Sequence, residues 1–179
     1  MIKIDLGCGR SKKEGFIGID SINLPNVDIV HNLNQFPYPF SNDEIDEIVM
    51  DNVLEHLDNP ILVIEELYRI SKNNAKITVS VPYYRSVYAY IDPTHKNFFS
   101  SYWFSYFDPN HNFFKKYSYT NINLVVKKIE FDKEFLNSKI SFFHKLLIFL
   151  AQKYRNFYET RVSHFYPLNS ITFTLKVTK

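Results

Sequence analysis

An acidic residue and two glycines meet at the end of the first apolar stretch, where Asp5 is followed by Gly7 and Gly9. Glycine lets the backbone turn sharply and approach a ligand closely, so this string can cradle a polar ligand. Asp20 closes the second apolar stretch, where a carboxylate can accept hydrogen bonds from two ribose hydroxyl groups. Together these residues predict a nucleotide-type binding site.

Two further polar strings follow the third and fourth apolar stretches. Asn32 and Leu33 belong to the first of them, and Asp51 and Asn52 belong to the second. Ligands bind outside the carboxyl ends of the strands in open α/β sheets, so these residues are candidates for the same site. A dinucleotide loop would carry a third glycine at position 12, where this chain has lysine. NAD and FAD are therefore not expected.

Glu55, His56 and His95 are the candidate catalytic residues. Histidine can take a proton from a hydroxyl group near neutral pH, so either histidine is a candidate general base. Glu55 and His56 come directly after the fourth polar string, and His95 lies in the segment after the fifth apolar stretch. A structural role stays open for both histidines, at a helix start for His56 and in a loop for His95.

Hydrophobic periodicity and turn residues indicate the elements that must position these side chains. Apolar stretches predict strands over residues 1–6, 16–20, 27–30, 45–50, 76–81, 124–131 and 171–177. A helical period begins at Pro60, after the N-cap candidate Asn59, and ends near residues 73–74. A second helix, over residues 140–158, is apolar on two faces. This order of elements predicts an α/β fold with a mostly parallel sheet.

Composition excludes several classes of protein. A net charge of +2 does not indicate a nucleic-acid partner. The single cysteine, Cys8, excludes an internal disulfide framework and suits a reducing compartment. No signal peptide is expected, and no apolar run is long enough to span a bilayer. We expect a cytoplasmic protein without a transmembrane segment.

The order of these strings resembles that of class I S-adenosylmethionine-dependent methyltransferases of the small type-11 kind. The resemblance covers residues 3–83 and rests on Leu-Gly-Cys-Gly, Gly-Phe-Ile-Gly-Ile-Asp, Phe-Pro-Tyr-Pro-Phe and Val-Leu-Glu-His-Leu, in that order. It implies a Rossmann-like sheet of seven strands whose last two form an antiparallel addition. It also implies S-adenosyl-L-methionine as the cofactor.

The resemblance assigns cofactor contacts to the polar residues at the strand ends. These are Asp5, Gly7 and Gly9 for the methionine end, Asp20 for the ribose, Asn32 and the Leu33 backbone for adenine, and Asp51 and Asn52 beside the amino acid moiety. Two positions depart from the family. Asn32 stands where the family more often has aspartate, and Ser11 stands where many members have a third glycine.

The domain organisation implied is one methyltransferase domain, residues 1–179. Residues 1–82 are the cofactor-binding half, and 83–121 are an aromatic lid or substrate segment. Residues 122–179 supply the C-terminal strands with an inserted helix. The aromatic segment can stack on a sugar, enclose a lipid or aromatic acceptor, or form a satellite core.

The predicted activity is in-line methyl transfer to a hydroxyl of a small molecule or glycan, with a histidine general base. Three alternatives stay open. The first is a degenerate member that binds the cofactor or a partner without catalysis, and the second is an enzyme that needs a partner subunit. The third is a divalent-metal-assisted O-methyltransferase that uses Glu55, His56 and His95, although the main prediction assigns no metal ligand.

The scaffold is predicted to be trimmed near its start. Only residues 7–15 separate the first two strands, fewer than a crossover helix usually needs. The helices before the first strand and after the second are predicted to be missing too. We expect the sheet face left bare near the first three strands to expose apolar surface, and to be covered by residues 140–158, the aromatic segment or a second subunit. A homodimer and a peripheral membrane contact through residues 140–158 are candidate interactions.

Overall fold

The computed structural model describes residues 1–133 and 141–179, and its centre is a seven-stranded sheet. The strands are β1 Lys3–Leu6, β2 Ile17–Asp20, β3 Ile29–Val30, β4 Ile45–Asp51, β5 Ser71–Pro82, β6 Leu124–Phe131 and β7 Ser170–Val177. Their order is β3-β2-β1-β4-β5-β7-β6. Neighbours among β1 to β5 are parallel, and β7 is antiparallel to both β5 and β6. The predicted α/β sheet with an antiparallel addition is confirmed.

The helices are short. They are α1 Pro60–Ile70, α2 Tyr88–Ile91, α3 Asn112–Tyr117, α4 Phe142–Lys153 and α5 Arg155–Phe157, with 3₁₀ turns at Leu54–His56 and Trp103–Tyr106 and a π-helical turn at Tyr158–Val162. The Asn59 side chain accepts hydrogen bonds from the N–H groups of Ile61 and Leu62, at 3.1 and 3.2 Å. The predicted start of α1 is thereby confirmed.

The predicted helix of residues 140–158 is divided in the structure. Residue 140 lies outside the described residues, and α4 ends at Lys153. Tyr154 breaks the helix with φ −123° and ψ 55°. The apolar period continues through the break, so the sequence pattern does not reveal it. Across the described ranges, no helix combines the length and apolar character that a membrane crossing requires.

The helices predicted to be missing near the start of the fold are indeed absent from the described residues 1–51. Hydrogen bonds fix the loop after β1 instead. The Gly7 N–H donates to the carbonyl of Ile19 at 2.7 Å, and the Lys13 N–H donates to Asp5 Oδ2 at 2.8 Å. The loop therefore joins two neighbouring parallel strands without a crossover helix.

One face of the sheet, the core face, carries the buried residues of the strands. Ile48 and Ile77 are paired neighbours on it, and both are fully buried. Leu147 of α4 belongs to the same core cluster, as do the buried residues of α1. Phe104, from the aromatic segment, places its ring 4.8 Å from that of Phe173 in β7. The helices and the aromatic segment thus pack on this one face.

The opposite face, the open face, is polar. Strand pairing places Lys3, Glu47, Lys76 and Lys176 in one row across it. Glu47 pairs with Lys3 at 2.9 Å and with Lys76 at 3.1 Å, and these hydrogen bonds hold the pKa of Glu47 below its usual value. The prediction of an apolar face covered by residues 140–158 or by the aromatic segment is wrong, because the face is charged and both segments pack on the core face.

Candidate active site

A cleft of about 1100 Å³ opens at the carboxyl edge of the sheet and extends onto the open face. Seven of the predicted site residues line it: Asp5, Gly7, Asp51, Asn52, Glu55, His56 and His95. Gly9 and Asp20, which were also predicted, do not belong to the lining. We call Asp5 and Gly7, with the adjoining Gly9 and Asp20, the glycine end, and we call Glu55, His56 and His95 the histidine end.

The glycine end depends on backbone conformations that favour glycine. Gly7 has φ +68°, and a Cβ atom on it would lie 2.2 Å from Val53 Cγ2. Gly9 has φ +52° and faces open space. The Gly9 N–H donates to Asp20 Oδ2 at 2.9 Å, and the Ile22 N–H donates to Asp20 Oδ1 at 3.1 Å. The carboxylate of Asp20 is therefore held against the glycine turn, as a group that contacts the same ligand should be.

Asp5 and the string after β4 form the floor of the cleft. Asp5 is buried, and the loss of solvation raises the pKa of its carboxyl above the ordinary value. Asn52 has φ +53°, a left-handed conformation that asparagine tolerates better than most residues. Its N–H donates to the carbonyl of Ser80 at 2.9 Å, and its Nδ2 donates to Asp51 Oδ1 at 3.1 Å. The turn after β4 is thus fixed by its own hydrogen bonds.

The residues predicted to face adenine lie in the loop after β3 and do not belong to the cleft lining. The side-chain oxygen of Asn32 accepts a hydrogen bond from the Asn34 N–H at 3.0 Å. The carbonyl of Leu33 accepts one from the Tyr38 hydroxyl at 2.9 Å. Both groups stabilise this loop, which follows the strand beside Asp20 in the sheet.

At the histidine end, hydrogen bonds fix the tautomer of His56. Thr94 Oγ1 donates to Asp92 Oδ1 at 2.7 Å, so it can only accept from His56 Nδ1, which lies 2.8 Å away. His56 Nδ1 therefore carries the proton, and Nε2 carries a free lone pair. Burial, followed by the charge of His95, lowers the pKa of His56. A neutral imidazole with a free lone pair is a competent proton acceptor.

His95 is held in the same way. Its Nδ1 lies 3.0 Å from the carbonyl of Ala89, which can only accept, so Nδ1 is again protonated and Nε2 is again free. The rings of His56 and His95 have centroids 4.6 Å apart, in an edge arrangement. His95 Nε2 lies 4.0 Å from Glu55 Oε1. The Nε2 atom of His95 thus lies near the carboxyl group of Glu55, with the ring of His56 beside it.

Glu55 is buried, and within residues 1–133 and 141–179 neither of its carboxyl oxygens has a hydrogen-bond partner. Burial raises the pKa of Glu55 to about 7. The 3₁₀ turn Leu54–His56 places it directly after β4, and its backbone carbonyl accepts from the N–H groups of Lys96 and Asn97, at 2.8 and 3.1 Å. One ligand atom each from Glu55, His56 and His95 lies within 4.8 Å of the others. This geometry suits proton transfer or a metal ion.

Sequence reasoning missed several residues of the cleft. Thr94 and Asp92 orient His56, and a signal for them was present in the string Asp92-Pro93-Thr94-His95. Ser80 and Thr172 form a hydrogen-bonded pair at 2.9 Å on the floor of the cleft. Lys133 and Asn169 also line it, and nothing in the local sequence marks either as a site residue.

The aromatic segment is divided between two environments. Tyr83, Phe99 and Phe104 are fully or almost fully buried in the core. Tyr88 and Ile91, from α2, are exposed and line the cleft. Four aromatic residues of the segment are buried, and five are exposed: Tyr88, Tyr90, Phe98, Tyr117 and Tyr119. The segment therefore contributes to the core and also forms an apolar rim over the site.

Comparison with solved structures identifies the fold. The chain is 21% identical to a SAM-dependent methyltransferase from Archaeoglobus fulgidus, with a TM-score of 0.56 over 97% of this chain and 85% of that chain. It is 14% identical to a chain in the complex of the Haloferax volcanii Trm112 methyltransferase activator with a methyltransferase, with a TM-score of 0.60 over 99% and 83%.

A third similar structure is the plantazolicin methyltransferase BpumL, solved with a desmethyl-plantazolicin analogue and SAH. The identity is 17% and the TM-score is 0.55, over 99% of this chain and 77% of that chain. No protein-family model and no curated protein matches the sequence. The chain has the fold of the class I S-adenosylmethionine-dependent methyltransferases.

Proposed function

We propose that the protein transfers a methyl group from S-adenosyl-L-methionine to a hydroxyl group of a small molecule or glycan. One observation carries the proposal. A single cleft is lined by Asp5 and Gly7 at one end, next to the Gly9–Asp20 hydrogen bond, and by His56 and His95, each protonated on Nδ1, at the other. The first feature suits a nucleoside-containing donor, and the second suits removal of a proton from an acceptor.

The residues of the glycine end fit this cofactor by their chemistry. Asp20 offers a carboxylate to the ribose hydroxyls, and the space above Gly9 admits close approach of a ligand to the backbone. Asp5 and Gly7 would hold the methionine end, beside Asp51 and Asn52, and Asn32 and the Leu33 backbone would face adenine. When bound, the cofactor supplies an electrophilic methyl group on a sulfonium.

His56 is the proposed general base. His56 lines the cleft, and its Nδ1–H is fixed through Thr94 to Asp92. As the acceptor oxygen gains the methyl group, its proton passes to His56 Nε2, and Asp92 stabilises the positive charge through Thr94. His95, whose Nε2 is also free, is the second candidate for this role.

The lining of the cleft supports a hydroxyl-rich acceptor. Its floor offers the Ser80–Thr172 pair, Asn169 and Lys133 as hydrogen-bonding groups. Its rim offers the exposed ring of Tyr88, on which the apolar face of a sugar can stack. The volume of about 1100 Å³ exceeds the usual range for one small ligand, so cofactor and acceptor can be accommodated together.

The unpartnered carboxyl group of Glu55 favours a second candidate, divalent-metal-assisted O-methylation. One ligand atom each of Glu55, His56 and His95 lies within 4.8 Å of the others, and neither carboxyl oxygen of Glu55 has a hydrogen-bond partner among the described residues. Two imidazoles and a carboxylate are a ligand set for a divalent transition metal. An ion held there would bind the acceptor oxygen and lower its pKa.

The experiment is methyl transfer from labelled cofactor to a panel of sugars and small hydroxyl compounds, with and without a strong chelator. Labelled methyl ether at the same rate in both samples supports the histidine base. Product that is lost with chelator and restored by added Mn²⁺ supports the metal-assisted reaction. Transfer to amines but not to hydroxyl compounds contradicts the proposal.

A further inference from the structure

The outer side of α4 exposes a group of large apolar side chains. We call it the α4 patch: Phe142, Phe143, Leu146 and Phe149 of α4, with Phe165 and Tyr166 from the loop before β7. All six are exposed, Phe142 by 83% and Phe165 by 80%. The rings of Phe143 and Tyr166 have centroids 5.2 Å apart, so the helix and loop parts of the patch are joined.

The α4 patch is not needed to hold α4 in place. Leu147, Ile148 and Ala151 are the buried residues of the helix, and they pack into the core. At 100° per residue, Phe142, Leu146 and Phe149 lie on the side of the helix opposite those three. Soluble proteins rarely expose contiguous large apolar patches without a partner.

The segment that carries the patch is rich in positive charge, and Lys145, Lys153 and Arg161 are its exposed cations. Residues 141–166 contain four cationic side chains, Lys145, Lys153, Arg155 and Arg161, and one carboxylate, Glu159. Glu159 is buried and accepts a hydrogen bond from the Ser101 N–H, so it adds little negative potential to the surface. The partner of the patch should therefore carry negative charge.

One of the two lysines, Lys153, also lies beside aromatic rings. Lys153 Nζ is 5.4 Å from the centroids of both Phe149 and Tyr154. Lysine stems cover apolar surface while their ammonium groups reach outward, the arrangement found where a helix lies in a lipid headgroup layer. Aromatic rings with polar tips, such as Tyr154 and Tyr166, are also favoured in that layer.

We propose that the α4 patch binds the surface of an anionic lipid bilayer. In this state α4 lies parallel to the membrane, with Phe142, Leu146 and Phe149 among the upper acyl chains. The ammonium groups of Lys145 and Lys153 contact lipid phosphates. This inference does not depend on the proposed methyl transfer, because it rests on the patch alone.

A second copy of the chain fits the patch less well. A two-fold symmetric contact places the same surface of both copies together. Lys145 and Lys153 of one copy would then lie near the same lysines of the other, with no exposed carboxylate of residues 141–166 between them. Like charges at such short separations oppose association.

Vesicle sedimentation of the full chain tests the proposal. We expect binding to vesicles in which one lipid in three is phosphatidylglycerol, and much weaker binding to pure phosphatidylcholine. Lys145→Gln with Lys153→Gln should weaken binding to the anionic vesicles by about thirtyfold. Phe142→Ser with Phe149→Ser should weaken it by at least about tenfold. No binding of the folded wild-type chain to anionic vesicles overturns the proposal.

Leu62 supplies a matched control on a different helix. Leu146→Ser and Leu62→Ser remove similarly exposed leucines, from α4 and from α1, and circular dichroism checks that both variants fold. Only Leu146→Ser should weaken vesicle binding. Equal weakening by both variants overturns the assignment to the α4 patch. The assignment is also overturned if the wild-type chain is a dimer and the double variant Phe142→Ser with Phe149→Ser is a monomer that binds vesicles as the wild type does.

Discussion

The two ends of the cleft are built by different means. The glycine end is made from backbone conformation, with Gly7 and Gly9 at positive φ and Asp20 fixed by main-chain N–H groups. The histidine end is made from side chains that meet across the fold, with His56 and His95 separated by 38 intervening residues. The comparison teaches that binding and chemistry in this cleft can be perturbed separately, and variants at each end test that separation.

The largest effect is expected at the histidine end. His56→Ala should lower kcat by about 10² to 10⁴-fold, because the acceptor loses its proton acceptor. Affinity for S-adenosylhomocysteine should stay within about twofold, since the glycine end is unchanged. His164→Ala, an exposed histidine outside the cleft lining, is the control. A parallel loss of cofactor affinity in His56→Ala contradicts the separation of the two ends.

At the glycine end, Gly7→Ala should destabilise the protein by about 3 kcal/mol, because its Cβ would collide with Val53 and its φ is positive. Gly9 also has a positive φ, but a Cβ atom there would meet no neighbour, so Gly9→Ala should destabilise the protein by only about 1 kcal/mol. Urea unfolding measures both values. Equal destabilisation by the two substitutions would show that the close contact with Val53 is unimportant.

Glu55 should make stability depend on pH. Burial raises its pKa from 4.5 to about 7, so the folded state keeps a proton that the unfolded chain releases. The associated stability is present below pH 4.5 and declines as the pH rises to about 7, by about 3 kcal/mol. Glu55→Gln should remove this decline, and Glu14→Gln should keep it. Urea unfolding in the presence of a chelator at several pH values measures this decline in the free energy of unfolding. An unchanged decline in Glu55→Gln contradicts its assignment to Glu55.

The smallest effect is expected at Thr94, which acts through His56. Thr94→Val removes the oxygen that accepts from His56 Nδ1 and should lower kcat by about tenfold, with a shifted pH profile. Thr94→Ser keeps the hydroxyl and should restore both. A loss in Thr94→Val that Thr94→Ser does not restore would indicate a packing role for the methyl group instead.

The proximity of the residues at the glycine end could be predicted because they follow strands that are close in sequence and adjacent in the sheet. Gly7 and Asp20 end adjacent strands, so their proximity follows from the parallel pairing itself. The approach of His95 to Glu55 depends on a loop that returns over the 3₁₀ turn, which no local pattern encodes. The role of Thr94 depends on the same loop.

Two fold features were missed for similar reasons. β5 begins at Ser71, not near residue 76, because pairing of Ser71 with Ile45 draws the polar string after α1 into the sheet. The open face near the first three strands was expected to be apolar. In β7, the half-buried Thr174 and Lys176 alternate with buried apolar residues. That alternation is the signature of a sheet with one face in water.

The central claim is that the glycine end binds the cofactor through Asp20, and calorimetric titration with S-adenosylhomocysteine tests it most directly. The wild-type chain should bind, and Asp20→Ala should bind about a hundredfold more weakly, because charge-assisted hydrogen bonds to the ribose are lost. Asp58→Ala, which removes an exposed carboxylate outside the cleft lining, should bind like the wild type. The absence of binding to the folded wild-type chain, or equal affinity in Asp20→Ala, would contradict the account.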